Sequence, residues 1–281
     1  MKKTSILLLI LIFTACNSGL LIIKANLPKT LNEVSGTEIT VKSDLIWMLN
    51  DSGNKPKLYG VSKKGNIKKE IKIKAKNNDW EDLASDGDGN IYIGDFGNNH
   101  NKRKNLSILK VNAANLNKDK PVKIDRISFS YDNQNKFPPK SKAMHFDCEA
   151  FFYFNDYLYL FTKSRVKGNY GKTNLYKVPA KQGNYIAQYI DSYSTCNDFY
   201  CWVTAADISD DGKQMVLLTQ KGVWLFSNFN SDNFFSGTIK TYAFNSETQK
   251  EGICFKDNKT IYITDENAHG GDGYLYEMTL D

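Results

Sequence analysis

Apolar residues recur along this chain in short runs, each closed by Asp, Asn, Gly or Lys. No long stretch keeps the three-to-four-residue spacing of an amphipathic helix. The runs follow a repeating order. A strand-like opening carries an acid just before or at its start, as in Glu33-Val34-Ser35-Gly36, Glu81-Asp82-Leu83-Ala84, Glu149-Ala150-Phe151-Phe152, Asp207-Ile208-Ser209-Asp210 and Glu251-Gly252-Ile253-Cys254. A polar turn then leads to a more apolar strand, expected over residues 45–49, 91–93, 157–161, 215–218 and 260–263. Third strands are expected at 58–61, 106–111, 175–178, 223–226 and 274–278, and fourth strands at 67–73, 124–131, 185–193 and 237–244.

The fifth unit runs out of chain after three strands, while residues 20–27 form an orphan strand ahead of the first acid. Placing that strand in the last unit completes it. Self-similarity of this kind, with four strands per unit, is the pattern of a propeller. The pattern therefore predicts an all-β chain folded as a β-propeller. It would have five blades of four antiparallel strands, closed by the N-terminal strand. Six blades is the alternative, if part of residues 112–146 hides a degenerate unit.

Composition agrees with strands: aromatics make up 13% of the 281 residues. The formal charge of +6 is spread over Lys-rich turns such as Lys63-Lys64 and Lys102-Arg103-Lys104. No basic stripe is concentrated enough for nucleic acid, which excludes that partner class. At the N-terminus Lys2 and Lys3 precede an apolar run over residues 6–13, too short to span a bilayer, then Thr14-Ala15-Cys16. Residues 1–15 read as a signal peptide. Cys16 resembles the acylated cysteine of the bacterial lipobox, although Phe13 stands where Leu is usual. Residues 16–19 would then be a short lipid-anchored tether and 20–281 a single propeller domain. Asn17 in place of Asp implies the outer rather than the inner membrane of a bacterial envelope. Export permits disulfides, and Cys196 and Cys201 bracket a loop they could close, whereas Cys148 and Cys254 read as small buried residues.

Three segments carry a family resemblance: Asn50-Asp51-Ser52-Gly53-Asn54, Asp79-Trp80-Glu81-Asp82-Leu83-Ala84 and Gly94-Asp95-Phe96-Gly97-Asn98-Asn99. They resemble the bacterial SdiA-regulated and phytase-like or esterase-like propeller families. The resemblance implies a propeller and, from relatives in the wider group, calcium in the central channel.

The candidate chemistry follows from topology. In a propeller the first strand of each blade lines the channel and the second runs antiparallel beside it, so the start of one and the end of the other share a face. Glu81 and Asp95, Glu149 and Lys163, and Glu251 and Asp265 each lie fourteen residues apart. This reasoning sends Glu33, Asp51, Glu81, Asp82, Asp95, Glu149, Asp207, Glu251 and Asp265 to one mouth. Crowded carboxylates repel unless a cation or donors compensate them, and an oxygen-rich set suits Ca2+. The competing reading is structural: such acids accept backbone N–H bonds from the next blade. His100, His145 and His269 fall on loops at the same end and are candidate bases, with Lys163 a candidate for binding an anionic group. Trp80 and Trp202 could wall a ligand or pack in the core; Trp47 and Trp224 read as core. Two functions remain open. One is an envelope lipoprotein whose propeller binds a protein partner or small ligand. The other is a calcium-dependent hydrolase of an ester, lactone or phosphoester.

Overall fold

Strands β1 (Asn17–Ser18) and β2 (Ile22–Asn26) open the part of the chain that the computed structural model describes, which comprises residues 17–18, 20–41, 43–118, 120–246, 248–267 and 273–281. The expected signal segment, Cys16 and His269 lie outside it. Four further strands pair in sequence order: β3 (Val34–Ile39), β4 (Ile46–Asn50), β5 (Lys57–Val61) and β6 (Ile67–Lys72). The same antiparallel order recurs in β7 (Trp80–Ser85), β8 (Ile91–Asp95), β9 (Leu106–Val111) and β10 (Asp125–Tyr131), and again in β11 (Asp147–Phe154), β12 (Tyr157–Lys163), β13 (Lys172–Pro179) and β14 (Gly183–Ser194). These two groups fuse into one eight-stranded sheet, because the outer strands β10 and β14 pair in parallel. A fourth group holds β15 (Ala205–Ile208), β16 (Gln214–Thr219), β17 (Gly222–Ser227) and β18 (Thr238–Ala243), with β1 parallel to β18. The last holds β19 (Lys250–Asp257), β20 (Thr260–Asp265) and β21 (Tyr274–Thr279), and β2 pairs antiparallel with β21 as its outer strand. Between Asn112 and Phe146 the described residues hold one strand, β10, and two single-turn 3-10 helices.

Each group is apolar on both faces near its inner edge and alternates at its outer edge. Strands β4 and β8 are buried throughout, whereas β6 is buried at only one position. The cause is stacking of sheet on sheet. Trp47, Leu49 and Leu58 of the first group pack with Trp80, Leu83 and Ile91 of the second. Similar layers join the second to the third through Phe96 and Phe151, the third to the fourth through Phe152 and Met215, and the fourth to the fifth through Val216 and Ile261. The fifth returns to the first through Tyr262 and Met48.

The first strands close a ring in the same order: β3 lies against β7 and β19, β11 against β7 and β15, and β15 against β19. Their approach is tight. A Cβ on Gly36 would meet the backbone of Asp82 at 2.9 Å, so the bare backbone of glycine is what fits there. Hydrogen bonds cross the seams. Ser35 Oγ donates to Trp80 O at 3.0 Å, and Thr37 and Thr264 share a bond of 2.7 Å. Asp82 accepts from Phe151 N at 3.1 Å, and Asp207 from Phe255 N at 2.6 Å.

Asp82 is wholly buried and also accepts from Leu83 N at 2.8 Å, so it joins two first strands instead of standing at a mouth. Removing it leaves buried N–H groups unpaired, each costing about 1–3 kcal/mol. Asp82→Ala should therefore lower unfolding stability in urea by about that much. Asp82→Asn, which keeps an acceptor, should lose less; no loss in Asp82→Ala would show that the seam bonds contribute nothing.

Candidate metal centre

Alternation along a strand places residues two apart on one face. Asp79-Trp80-Glu81 obeys this rule: Trp80 is buried in the layer against the first group, and Asp79 and Glu81 face the opposite way. β-Bulges then disturb the pairing beside the openings, between Trp80 and Leu83, Cys148 and Ala150, and Lys250 and Gly252. A bulge adds an unpaired residue and re-aims its side chain. In each case the residue set free includes a glutamate, namely Glu81, Glu149 and Glu251.

Asp51, Asp79 and Glu81 each bring a carboxylate oxygen within 4.8 Å of the others. Gly97, in the loop after β8, lies directly behind them. A Cβ at Gly97 would collide with Glu81 and stand 2.7 Å from the carboxyl of Asp79. Arg103 holds that loop in place, donating to Gly97 O at 2.6 Å and to Asp95 Oδ1 at 3.0 Å. Burial, and after it the nearby Asp79 and Glu149, pushes Asp51 up to about 6. Burial also raises Asp79, and raises Glu81 well above the usual carboxylate range, with Glu149 and Asp51 adding to the effect on Glu81.

Beside this cluster the charges are paired. Burial alone would raise Glu149, but Lys163 at 3.0 Å and Arg165 at 3.2 Å hold it below its ordinary value. Arg165 also pairs with Asp147. Both cations lie over the ring of Trp202, Lys163 at 4.9 Å and Arg165 at 4.8 Å from its centroid. Trp202 follows the loop that the Cys196–Cys201 disulfide closes, and it packs against Phe199 with ring centroids 4.1 Å apart. On the far side burial raises Glu251 to about 7, with Lys163 opposing and Glu149 adding to the rise. Glu266 reaches about 9 through burial and then Glu251 and Asp51.

Of the other acids expected at this mouth, Glu33, Asp95 and Asp265 lie near the cluster but are held by other partners, and Asp207 lies elsewhere. Glu33 is exposed and takes a hydrogen bond from the Asn54 amide. Asp95 is buried inside its own sheet, accepting from Asn78 Nδ2 at 2.7 Å and Asp79 N at 3.2 Å as well as Arg103. Asp265 is held in the same manner by Thr248 Oγ1 at 2.8 Å, Tyr274 N at 2.7 Å and Tyr276 OH at 2.8 Å. Asp207 belongs to the opposite end of the channel, because it lies well inside β15, opposite Val216 of β16. His100 is exposed. His145 is half-buried with an unpartnered Nδ1, and burial, then Lys172, lowers it to about 4. Neither histidine bonds an acid among the described residues. Asp79, Arg103, Arg165 and Glu266 join the site without having been singled out by the repeat. Alternation from Glu81 was the available signal for Asp79.

No family model matches the chain, and no curated protein matches it. Solved structures do. The PQQ-bound aldose sugar dehydrogenase of Streptomyces coelicolor aligns over 93% of this chain and 98% of its own, with a TM-score of 0.53 and 8% identity. The fold is a β-propeller. A catalytically inactive virginiamycin B lyase from Staphylococcus aureus, bound to quinupristin, aligns over 91% of this chain and 69% of its own at 14% identity and a TM-score of 0.43. The nidogen/laminin complex aligns over 85% and 78% at 11% identity and a TM-score of 0.45. At such identities the likeness concerns the propeller fold alone.

Raised carboxyls have a thermodynamic sign. Asp51, Glu81 and Glu251 bind protons more tightly folded than unfolded, so ionising them opposes folding. In chelator the melting temperature should fall as pH rises from about 4, the unfolded carboxylate value, through about 7. Millimolar Ca2+ should reverse most of that fall, and Glu81→Gln should flatten the curve. A melting temperature independent of pH across this window would show that the crowding is relieved in some other way.

Proposed function

We propose that this chain is a five-bladed propeller of the SdiA-regulated type, exported and lipid-anchored through Cys16 at the outer membrane of a bacterial envelope. It binds Ca2+ at one mouth of its channel and presents a ligand-binding surface beside that ion. Support for five blades comes from the ring of first strands, which returns to β3 after β19, and from the layer joining the last group to the first.

The observation that carries the calcium reading is the convergence of Asp51, Asp79 and Glu81 beside Gly97, whose side-chain space Asp79 and Glu81 occupy. The three acids are crowded and partly uncompensated, and a hard divalent cation would satisfy them with oxygen ligands alone. Calcium takes about six to eight such ligands. Glu251, Glu266 or solvent would complete the shell. Next to the ion, Lys163 and Arg165 lie over Trp202, paired with Glu149 and Asp147, where a carboxylate- or phosphate-bearing partner could compete for them. Binding is preferred to calcium-dependent hydrolysis because neither described histidine bonds an acid, so no histidine base is placed among the described residues.

Calorimetric titration of Ca2+ into the chelator-treated full chain tests the reading. One site is expected, weakened about tenfold or more by Asp79→Asn or Glu81→Gln, in keeping with the loss of a charged ligand. Gly97→Ala should weaken binding too, by displacing both carboxylates. Undiminished binding in all three variants would remove the ion from this mouth.

A further inference from the structure

At the opposite end of the channel the first strands finish around a cavity of ≈ 450 Å3, within the size range of small-molecule sites. All five groups of strands contribute. Glu38 and Ile39 come from β3, Ser85 from β7, Tyr153 and Phe154 from β11, Asp207 and Ile208 from β15, and Phe255 from β19. The apolar part of the wall comes from Ile39, Val41, Tyr153, Phe154, Ile208 and Phe255, and the charged lining has one sign. Glu38, Asp86, Asp207, Asp210 and Asp211 face the cavity, with no Lys, Arg or His among its described lining residues. This is unusual in a chain of formal charge +6.

Two of these acids are accounted for locally: Asp86 by Lys110 at 3.3 Å together with Asn90 and Tyr92, and Asp211 by Ser209 at 2.8 Å. Glu38 is not. It is only 6% exposed, one carboxylate oxygen accepts from Ile39 N at 2.7 Å, and the other has no donor among the described residues. Both oxygens of Asp207 already take backbone N–H groups, from Ile208 and Phe255. So few free oxygens do not make a calcium shell, and these acids do not converge as the three at the first mouth do.

We propose that this cavity binds a small organic cation, a protonated primary amine whose ammonium donates to the free oxygen of Glu38 while its apolar body lies against Phe154, Phe255 and Tyr153. An ammonium group has three donors and needs few acceptors in a fixed shell, which suits one open carboxylate oxygen with Asp207 and Asp210 nearby. Aromatic walls favour a cation with an alkyl body over a bare ion. Burial, and then Asp207, raises Glu38 well above its ordinary value, and burial raises Asp207 to about 7. A bound cation relieves both. The rim is preformed: the Ser209–Gly212 turn closes with a bond from Gly212 N to Ser209 O at 2.7 Å, and Gly212, at φ +67°, packs on the ring of Phe154. This site is separate from the calcium centre and does not depend on it.

Calorimetry on the full chain in chelator, with n-butylamine and putrescine as probes and 1-butanol as the uncharged control, tests the assignment. The amines should bind and the alcohol should not. Glu38→Gln should weaken amine binding about tenfold or more, as expected for a lost charge-assisted hydrogen bond. Asp210→Asn, on the exposed rim, should weaken it less, and Glu81→Gln at the other mouth should leave it unchanged. Melting curves of each variant confirm folding. No heat from either amine, equal binding in Glu38→Gln, or loss of binding in Glu81→Gln would each overturn the assignment.

Discussion

The first strands of this protein meet around a single axis closely enough that a Cβ on Gly36 would strike the next strand. Side chains directed at that axis must share a narrow space, and several of them are carboxylates. Each acid must then find donors, find a cation, or hold a proton, since charge left uncompensated beside buried apolar layers is costly. The structure contains all three outcomes. Asp82 and Asp207 take backbone N–H groups across the seams, Glu149 takes Lys163 and Arg165, and Asp51, Asp79 and Glu81 remain crowded together with raised proton affinity. The functional proposals concern the acids that the fold itself leaves unsatisfied.

Asymmetry around the ring is what turns a repeated element into a site. Bulges free a glutamate in β7, β11 and β19, whereas β15 pairs with β16 without one. Ahead of β15 stands Trp202, preceded by a disulfide-closed loop and carrying two cations over its ring. The first mouth is therefore acidic on one side and cationic and aromatic on the other. Such an arrangement can hold an ion and an anionic partner side by side.

The two ends of the channel differ for a related reason. At the first mouth, chain reversals bring Asp51 and the Gly97 loop next to the strand openings, so acids from two neighbouring groups of strands come together. At the far mouth stand aromatic residues of β11 and β19 and tight turns. These hold the acids apart around an open cavity and leave one carboxylate oxygen free.

Most of the strand pattern was legible in the residues themselves. The third strand expected over residues 106–111 matches β9, and the orphan N-terminal strand does pair with the final one. Those features depend on local chemistry: β-branched and aromatic runs, Asp-Gly and Asn-rich turns, and a period of two. The acids at the strand openings were legible for the same reason. What each acid does was not. A fourteen-residue offset brings Asp95 and Asp265 to the ends of second strands, yet their partners are loop and side-chain donors within their own sheets. Asp79 shares the face of Glu81 by alternation, and the Gly97 loop held by Arg103 packs beside both. Sequence alone determined which residues form strands and, except for Asp207 near the end of β15, which acids stand at their starts, since both follow from neighbours in the chain. The tertiary structure alone decided which acids meet, which are satisfied and which face a cavity, because those outcomes depend on contacts between residues far apart in sequence.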